Sequence, residues 1–424
     1  LDTLLEELVG RGHRGMVLGL ERTLAASRAL GDPHRDLAVL HIAGTNGKGS
    51  VSAMLERVAR EAGLSVGLYT SPHLVRFSER IRLRGEPISD DAFAEALGRV
   101  LRDAPPELTF FETLTLAAFV AFRAASLEVV VLEVGLGGRL DSTNIVERPL
   151  ATAIVSITEG EGGKWLEHGD LLGSNVGAIA REKAGIAKQG VPLVLGPLGA
   201  EAQAAVAESA AAAGASPVWS VDEHGRLDRA NGTVMVPSGE TVRLAPRLAG
   251  VHQIENAAVA AAVARLGLPS VPGAVVERGI ALAEWPGRLE RFEVDGRQVW
   301  LDCAHNLEGA RALVQSLPML GDVGSGTLVY GSLADKPWEP VLRLLGPRFV
   351  RRFYTTPSGR AAAPLESLQA VLPGRAEPDP AQALRAAVRA TAPGGSVLVT
   401  GSIYLVGRLR SVLCGIAPDP AMGL

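Results

Sequence analysis

Residues 37–52 read Leu-Ala-Val-Leu-His-Ile-Ala-Gly-Thr-Asn-Gly-Lys-Gly-Ser-Val-Ser, and this stretch decides the fold. The apolar run over 37–43 is long enough for one buried strand, and glycines follow at positions 44, 47 and 49. Helical spacing of apolar residues resumes at Val51. The pattern therefore predicts a strand, a glycine loop and a helix, in that order.

A loop of this composition is typical of phosphate binding. Glycines let main-chain N–H groups close around phosphate oxygens, and the following helix adds the positive end of its dipole. Lys48 contributes a point charge, and Ser50 is placed to meet a phosphate oxygen or a phosphate-bound magnesium ion. The spacing is tighter than in the usual P-loop, but a turn that is merely rich in glycine would not need this lysine and serine. We therefore predict phosphate contacts from Thr45, Asn46, Gly47, Lys48, Gly49 and Ser50.

Length and composition set the architecture. A chain of 424 residues is too long for one ordinary core and is expected to form two domains. The hydrophobic content of 47% is spread over alternating strand-like and helix-like runs, which indicates an α/β protein.

Charge and cysteine usage bear on the partners and the compartment. A formal net charge of -4 gives no electrostatic case for nucleic acid or an anionic membrane as a partner. The two cysteines fit neither a disulfide framework nor a zinc pattern, which indicates a reducing compartment. We see no signal peptide and no apolar run that could span a bilayer, so we expect a cytoplasmic protein.

Two other apolar runs end in residues that could support chemistry. Residues 65–69 lead into Thr-Ser-Pro-His at 70–73, and the run 127–134 carries Glu133 near its end. Ligands bind at the carboxyl ends of parallel strands, although a capped turn would explain the Ser-Pro segment on its own. A carboxylate is costly to bury without a counter-charge. We therefore predict that Glu133 is a magnesium ligand, as on the acidic strand of P-loop NTPases.

Six motifs carry a family resemblance. They are Gly-Thr-Asn-Gly-Lys-Gly-Ser at 44–50, Thr-Ser-Pro-His-Leu at 70–74, Glu-Val-Gly-Leu-Gly-Gly-Arg-Leu-Asp at 133–141, Glu-Lys-Ala-Gly-Ile at 182–186, Pro-Gly-Arg at 286–288 and Asp-Cys-Ala-His-Asn at 302–306. Any one is only suggestive, whereas six in this order are highly specific. Over nearly its whole length the chain resembles folylpolyglutamate synthases, in the dihydrofolate and folylpolyglutamate synthase branch of the Mur ligase superfamily.

The resemblance implies the fold and the reaction. It implies a P-loop parallel-sheet ATPase domain of Mur ligase type over 1–287, which holds the folate site, and a smaller Rossmann-like α/β glutamate ligase domain over 288–424. The implied reaction is ATP-driven amide formation between a folate carboxylate and the amine of L-glutamate, through an acyl phosphate. Dihydropteroate as a further acceptor stays open. The resemblance also implies that the ATP site is complete only when the two domains close.

The resemblance further implies two magnesium sites, with ligands Ser50, Ser71, Glu133 and His168. In the family an Asp-His pair follows a strand within a few residues, whereas here residues 159–165 intervene. We align Glu167-His168 with that pair and treat the intervening residues as an extra loop. His224 and His252 are the competing histidines, and the first lies in a turn-rich stretch where we expect it to be exposed.

Residue roles around ATP come from the same resemblance. Lys183 matches a lysine that is carbamylated in the family, although an ordinary lysine on a helix over 175–188 is what the sequence alone favours. The resemblance assigns ATP contacts to Asn256, Arg288 and Asp302. It makes Lys48, Lys183 and His305 the catalytic residues.

The resemblance places the pteroate or folate group against three segments. The predicted contacts are Met16, Val17, Leu18, Thr109, Phe110, Phe111, Glu112, Gly138, Arg139 and Leu140. Glu112 has an alternative role, since a carboxylate near a helix start can serve the helix dipole alone. The expected partners are the small-molecule substrates, namely a reduced folate or dihydropteroate, L-glutamate and ATP. We expect a monomer that binds neither nucleic acid nor a membrane.

Two other functions stay in view. A cell-wall precursor ligase would use the same chemistry, but Ser-Pro-His-Leu at 71–74 and Gly-Leu-Gly-Gly-Arg-Leu-Asp at 135–141 favour the folate branch. A nucleotide-binding or folate-binding protein without ligase activity is the other alternative. Retention of Lys48, Glu133, Lys183, Arg288, Asp302 and His305 argues against that loss.

Overall fold

The predicted strand, glycine loop and helix are present. In the computed structural model, β1 (Val39–Ala43) is buried along its whole length, and the long helix Lys48–Glu61 begins directly after the loop. The structure describes residues 1–15, 17–158, 173, 175–321 and 324–420. These described residues form two compact units. Unit 1 comprises Leu1–His73, Phe77–Arg247 and Gln253–Glu284, and unit 2 comprises Leu74–Arg76, Leu248–His252 and Trp285–Leu424.

Unit 1 is built on a sheet of eight described strands. The remaining strands after β1 are β2 (Val66–Tyr69), β3 (Ile81–Leu83), β4 (Glu86–Pro87), β5 (Val129–Glu133), β6 (Ala151–Ile154), β7 (Leu193–Leu195) and β8 (Val218–Ser220). Their order in the sheet is β4-β3-β2-β5-β1-β6-β7-β8. The six strands β2, β5, β1, β6, β7 and β8 pair in parallel. At one edge, β3 pairs antiparallel with both β2 and β4. The consecutive strands β5 and β6 therefore lie on opposite sides of β1. This arrangement places a topological switch point, the usual ligand position, at the carboxyl end of β1.

Helices cover the faces of this sheet because parallel strands are joined by crossovers. The described α-helices of unit 1 are α1 (Asp2–Gly10), α2 (Glu21–Ala29), α3 (Lys48–Glu61), α4 (Asp90–Asp103), α5 (Phe110–Ala124), α6 (Val176–Ala184), α7 (Ala200–Ala213), α8 (Gln253–Gly267) and α9 (Gly273–Leu282). α8 presents alanine and valine on nearly all sides and is almost completely buried, which lets it pack closely against α3 and β6.

Unit 2 holds a second, smaller sheet. Its described strands are β11 (Glu290–Val294), β12 (Arg297–Leu301), β13 (Thr327–Tyr330), β14 (Arg351–Tyr354), β15 (Arg375–Ala376) and β16 (Ser396–Thr400), in the order β11-β12-β16-β13-β14-β15. All neighbours pair in parallel except β11 with β12. The described α-helices are α10 (Leu307–Ser316), α11 (Trp338–Leu345), α12 (Leu365–Val371), α13 (Pro380–Ala390) and α14 (Ile403–Cys414).

The predicted fold class is confirmed: both units are α/β, each with a mostly parallel sheet. A 3-10 turn (Phe77–Arg80) precedes β3 at the edge of the main sheet. The hairpin of β9 (Thr233–Met235) and β10 (Thr241–Arg243) forms a two-stranded sheet of its own. In the part of the chain that the structure describes, no helix combines the length and apolar character needed to cross a membrane.

Candidate active site

A small cleft, partly open to solvent, lies at the carboxyl ends of β1 and β5 in unit 1. The strands that end here are neighbours, with Ile42 of β1 paired to Glu133 of β5. The cleft therefore joins the glycine loop to the loop after the acidic strand. Its lining residues are Gly44, Thr45, Lys48, Val134, Gly135, Leu136, Gly137 and Lys183.

The glycine loop is held in place by two other elements. Gly47, the N-cap residue of α3, has φ 84°, and a Cβ at this position would overlap the Oδ1 atom of Asn256. Only glycine fits both the left-handed backbone and the close approach. The N–H of Thr45 donates to Ser156 O at 2.8 Å, and the N–H of Asn46 donates to Ser156 Oγ at 2.9 Å. The loop is thus preformed beside a helix N-terminus, as phosphate binding requires.

Asn256, one of the predicted ATP contacts, is buried in the first turns of α8. Its Nδ2 donates to Gln253 Oε1 at 2.9 Å, while its Oδ1 lies against Gly47. In unit 1 it therefore supports the phosphate loop. Its contact with ATP stays a prediction.

Two lysines meet on one carbonyl of the cleft. Lys48 Nζ donates to Gly44 O at 3.0 Å and to Thr45 O at 3.1 Å, and Lys183 Nζ donates to the same Gly44 O at 3.0 Å. Lys183 comes from α6 and is only 5% exposed. Lys48 thus lies where the oxygens of a polyanionic phosphate would be stabilised, with Lys183 beside it.

Two of the predicted metal ligands lie together. Glu133 ends β5, is 5% exposed, and its Oε2 accepts the N–H of Ser71 at 3.3 Å. Ser50 is buried in the first turn of α3. Carboxylate and hydroxyl oxygens are hard donors, so this set fits magnesium. Among the described residues there is no group of three His, Cys, Asp or Glu side chains for a metal, and His168 falls outside them.

The competing histidines have other surroundings. His224 is exposed, as expected, and its Nδ1 accepts the N–H of Ser220 at 3.0 Å. His252 belongs to unit 2. Because His168 lies outside the described residues, its role as a metal ligand stays a prediction.

The start of α5 forms one part of the predicted acceptor site. Thr109 Oγ1 accepts the N–H of Glu112, and Glu112 Oε2 accepts the N–H of Thr109 at 2.7 Å, which completes a capping box. The ring of Phe111 fills the space where a Cβ on Gly135 would lie, so this helix start borders the loop that lines the cleft. The ring of Phe110 lies under the guanidinium of Arg80, 5.2 Å from its centroid.

The loop after Gly137 packs on the helix that carries Lys183. A Cβ on Gly138 would lie 2.7 Å from Lys183 O, and Arg139 Nη2 forms an ion pair with Glu182 Oε1 at 2.7 Å. Arg139 therefore already has a protein partner. Leu18 and Leu140 are half-buried, Val17 is 49% exposed, and Met16 lies outside the described residues.

A buried chain of hydrogen bonds lies beneath this loop, and the sequence analysis did not predict it. Asp141 Oδ2 accepts the N–H of Leu136 at 2.8 Å, and its Oδ1 accepts the hydroxyl of Thr143 at 2.6 Å. Thr143 Oγ1 in turn accepts from His41 Nε2 at 2.8 Å. Burial raises the pKa of Asp141 and lowers the pKa of His41 to about 3. This chain of hydrogen bonds fixes the backbone of the cleft-lining loop. The alternation pattern of β1 does not predict that His41 takes part in it.

In unit 2, Asp302 follows β12 at the carboxyl edge of the parallel strands. One carboxylate oxygen accepts the N–H of Leu289 at 3.1 Å and the other accepts the N–H of Ala304 at 2.9 Å. Arg288 precedes Leu289, so Asp302 and the turn that bears Arg288 are tied together. His305 Nδ1 donates to Cys303 O at 2.9 Å, which leaves its Nε2 without a proton when the ring is neutral.

A partly buried ion pair supports the Arg288 turn, and sequence reasoning missed it. Glu290 Oε2 accepts the N–H of Gly287 at 2.9 Å, and Arg410 Nε lies 3.0 Å from each oxygen of Glu290. Gly287 has φ 73°, so this turn needs glycine. The sequence shows Glu290 three residues after the turn glycine, which is a local indication of its bond to the turn. Nothing in the sequence around Arg410 on α14 indicates that it pairs with Glu290.

Comparisons with known proteins place the chain among ATP-dependent ligases. Residues 287–403 match the Mur ligase, glutamate ligase domain family. The chain is 33% identical to the folylpolyglutamate synthase of Lacticaseibacillus casei, over 93% of this chain and 94% of that protein.

Solved structures agree over both units. FolC of E. coli in complex with DHPP and ADP matches with a TM-score of 0.84 and 32% identity, over 97% of each chain. The bifunctional folylpolyglutamate synthase/dihydrofolate synthase of Yersinia pestis, complexed with AMPPNP and Mn ion, matches with a TM-score of 0.83 and 32% identity, over 97% of this chain and 98% of that one.

Proposed function

The chain belongs to the folylpolyglutamate synthase and dihydrofolate synthase family, and from that premise we propose that it ligates L-glutamate to a folate carboxylate using ATP. It is an ATP-dependent, ADP-forming ligase. The observation that carries the proposal is the cleft of unit 1, where a preformed phosphate loop, Lys48, Lys183 and the loop after Glu133 meet. Dihydropteroate is a second acceptor to be tested, because the Yersinia pestis relative is a bifunctional folylpolyglutamate synthase/dihydrofolate synthase.

The proposed chemistry has two steps because a carboxylate is a poor acyl donor. First, a carboxylate oxygen of the folate attacks the γ-phosphorus of ATP, the bond to the bridging oxygen breaks, and ADP leaves. The product is an acyl phosphate. Second, the amine of glutamate attacks the acyl carbon, the bond from this carbon to the phosphate oxygen breaks, and phosphate leaves. Water would hydrolyse the intermediate, so its exclusion from the cleft is a functional requirement.

Positive charge is the main contribution of the protein to the first step. The incoming carboxylate and the phosphates repel each other, and Lys48 lies where it can neutralise part of their charge. Ser50, Ser71 and Glu133 would hold magnesium, and the Yersinia pestis structure with Mn ion supports a divalent metal. When bound, such an ion neutralises phosphate charge and polarises the oxygens around the phosphorus.

We propose that residues of unit 2 bind ATP and the amine. Asp302 keeps unused lone pairs beyond its two backbone hydrogen bonds, so it can accept from ribose hydroxyls. Arg288 would contact phosphate oxygens. The imidazole of His305, held through Nδ1 by Cys303 O, would assist the glutamate amine in its attack. We also propose a cytoplasmic monomer, and the two free cysteines fit a reducing compartment.

The two lysines also support carbamylation of Lys183. Lys183 Nζ is buried and shares the Gly44 carbonyl with Lys48 Nζ, so a cation lies beside it that would attract an anionic adduct. A neutral amine can add to carbon dioxide, and the resulting carbamate anion would be attracted by Lys48. We therefore propose that Lys183 acts as a carbamate, whose oxygens would join the metal ligands.

Replacing Lys183 by alanine is expected to lower kcat by roughly a hundredfold or more, because the site loses an anion. If that anion is a carbamate, a short carboxylic acid such as acetate should restore part of the activity, while the same concentration of chloride should not. Rescue is measured as phosphate release against acetate concentration. An alanine variant with wild-type activity would remove Lys183 from the mechanism, and loss without rescue would remove the carbamate.

The pair of Glu290 with Arg410 gives a further prediction. Glu290→Gln removes the charge that holds Arg410, so the Arg288 turn should loosen and the KM for ATP should rise by about tenfold. Glu339→Gln breaks an exposed ion pair with Arg343 in the same unit and serves as the matched control. Equal KM values for ATP in the two variants would show that the pair does not position Arg288.

Substrate identity is tested by phosphate release from ATP with different acceptors plus glutamate. We expect release with tetrahydrofolate, and we ask whether dihydropteroate also supports it. Release with a muropeptide precursor alone would support the cell-wall ligase instead. If no acceptor stimulated release, the protein would be a binding protein without ligase activity, and the proposed function would be wrong.

A further inference from the structure

We propose that Arg22 is a positioning residue for the acceptor, which fixes the spacing of the apolar surfaces that receive the flat ring system. The inference rests on the proposed function, because it concerns the folate side of the same site. It goes further in naming a residue that none of the six motifs contains, and in giving it a role that does not use its charge to bind substrate.

Arg22 ties two segments of unit 1 that are distant in sequence. Its Nη2 donates to Val17 O at 2.7 Å and to Glu112 Oε1 at 2.8 Å, and its Nε donates to Glu112 Oε2 at 3.4 Å. Glu112 receives the planar fork of the guanidinium on both of its oxygens. One side chain therefore connects the backbone before α2 to the first turn of α5.

Glu112 can pass this restraint on because it is itself fixed. Its side chain is 3% exposed, and the same Oε2 that faces Arg22 accepts the N–H of Thr109 at 2.7 Å. The adjacent Phe111 lies against Gly135 of the loop that lines the cleft, with its ring centroid 6.2 Å from that of Tyr69. A shift at Glu112 would therefore move an aromatic ring at the border of the cleft.

The other end of the connection carries an exposed apolar side chain. Val17 is 49% exposed, one of the few large apolar residues of the described chain with that exposure. Its carbonyl is held by Arg22, so its backbone is restrained although its side chain is left uncovered. A heteroaromatic acceptor gains binding energy from apolar surfaces held at a fixed separation, since less ordering is needed on binding.

The charge of Arg22 is already used within the protein. Its partner Glu112 is nearly buried, so the pair is compensated and a substrate carboxylate would find little free charge there. Lysine could keep the charge but could not form the same fork together with the bond to Val17 O. The role of Arg22 is thus geometric, which a lysine variant can test.

A purely structural role makes a different prediction, and the chain offers a matched control. Arg123 lies at the other end of α5 and also donates to loop carbonyls, those of Gly31 at 3.2 Å and Asp32 at 3.1 Å. If arginine ties merely stabilise α5, then Arg22→Gln and Arg123→Gln should both lower the urea midpoint and both leave the KM for folate unchanged.

The experiment measures KM for tetrahydrofolate, KM for ATP, kcat and the urea midpoint for the wild type, Arg22→Gln, Arg22→Lys and Arg123→Gln. We expect Arg22→Gln to raise the KM for tetrahydrofolate by about tenfold, with the KM for ATP within about twofold of the wild type. Arg22→Lys should fall between them, and Arg123→Gln should match the wild type in both KM values.

Several results would overturn the inference. It is wrong if Arg22→Gln leaves the KM for tetrahydrofolate within about twofold, or if Arg123→Gln raises that KM equally. If Arg22→Gln fails to fold, Glu112→Gln removes the same ion pair while keeping an oxygen for Thr109, and an unchanged KM there overturns the inference too. A wild type without folate-dependent phosphate release would instead defeat the proposed function, which separates the two failures.

Discussion

Replacing Lys48 by alanine is expected to abolish turnover, with a loss in kcat of roughly a thousandfold. Lys48 Nζ sits on the carbonyls of Gly44 and Thr45 at the bottom of the cleft, where the phosphates of ATP would lie. Without it, the developing charge on the transferred phosphoryl group loses its nearest protein cation. The measurement is folate-dependent phosphate release at saturating ATP.

Lys188→Ala is the matched control for this experiment. Lys188 also directs its Nζ towards a carbonyl, that of Asn144 at 3.5 Å, but it does not line the cleft. We expect the control to keep turnover near the wild-type value. Wild-type kcat in Lys48→Ala would remove the phosphate role of this lysine and, with it, the interpretation of the glycine loop.

The second large effect is expected for Glu133→Gln. The amide keeps an oxygen and nearly the same size but loses the charge, so we expect kcat to fall by roughly a hundredfold or more at fixed magnesium. We also expect half-maximal activity to need more magnesium. Glu133 ends β5 beside the N–H of Ser71, where a buried carboxylate is otherwise costly.

Glu128→Gln provides the control for Glu133. Glu128 lies one residue before β5, is exposed, and accepts the N–H of Ser65 at 2.7 Å, far from any role in the cleft. We expect its magnesium dependence to match the wild type. If Glu133→Gln kept the wild-type magnesium titration, the acidic strand would not serve the metal.

The local order of the phosphate loop could be predicted because its signals are local. Glycine spacing, an apolar run and a resumed helical period all lie within residues 37–52, and β1 and α3 follow them closely. The need for glycine at position 47 could be predicted only in part from the local sequence. It depends on Asn256, which comes from a helix more than two hundred residues later and occupies the space that a side chain would need.

Long-range pairs account for most of what sequence reasoning missed. Arg22 reads as one more polar residue on an amphipathic helix, and only the fold brings it to Glu112. Arg410 and Glu290 pair across unit 2 in the same way. The α/β class could be predicted from the alternating strand and helix periods. The β9–β10 hairpin forms a separate sheet, and a short alternating run does not specify which other strand it pairs with.

The central claim is that the folate carboxylate is activated as an acyl phosphate, and isotope transfer tests it most directly. Tetrahydrofolate labelled with oxygen-18 in its reacting carboxylate would be incubated with ATP, magnesium, glutamate and the wild-type protein, and the released phosphate analysed by mass spectrometry. Because the carboxylate oxygen that attacks phosphorus leaves with it, we predict one labelled oxygen in each phosphate released by turnover. Amide formation with unlabelled phosphate would contradict the account.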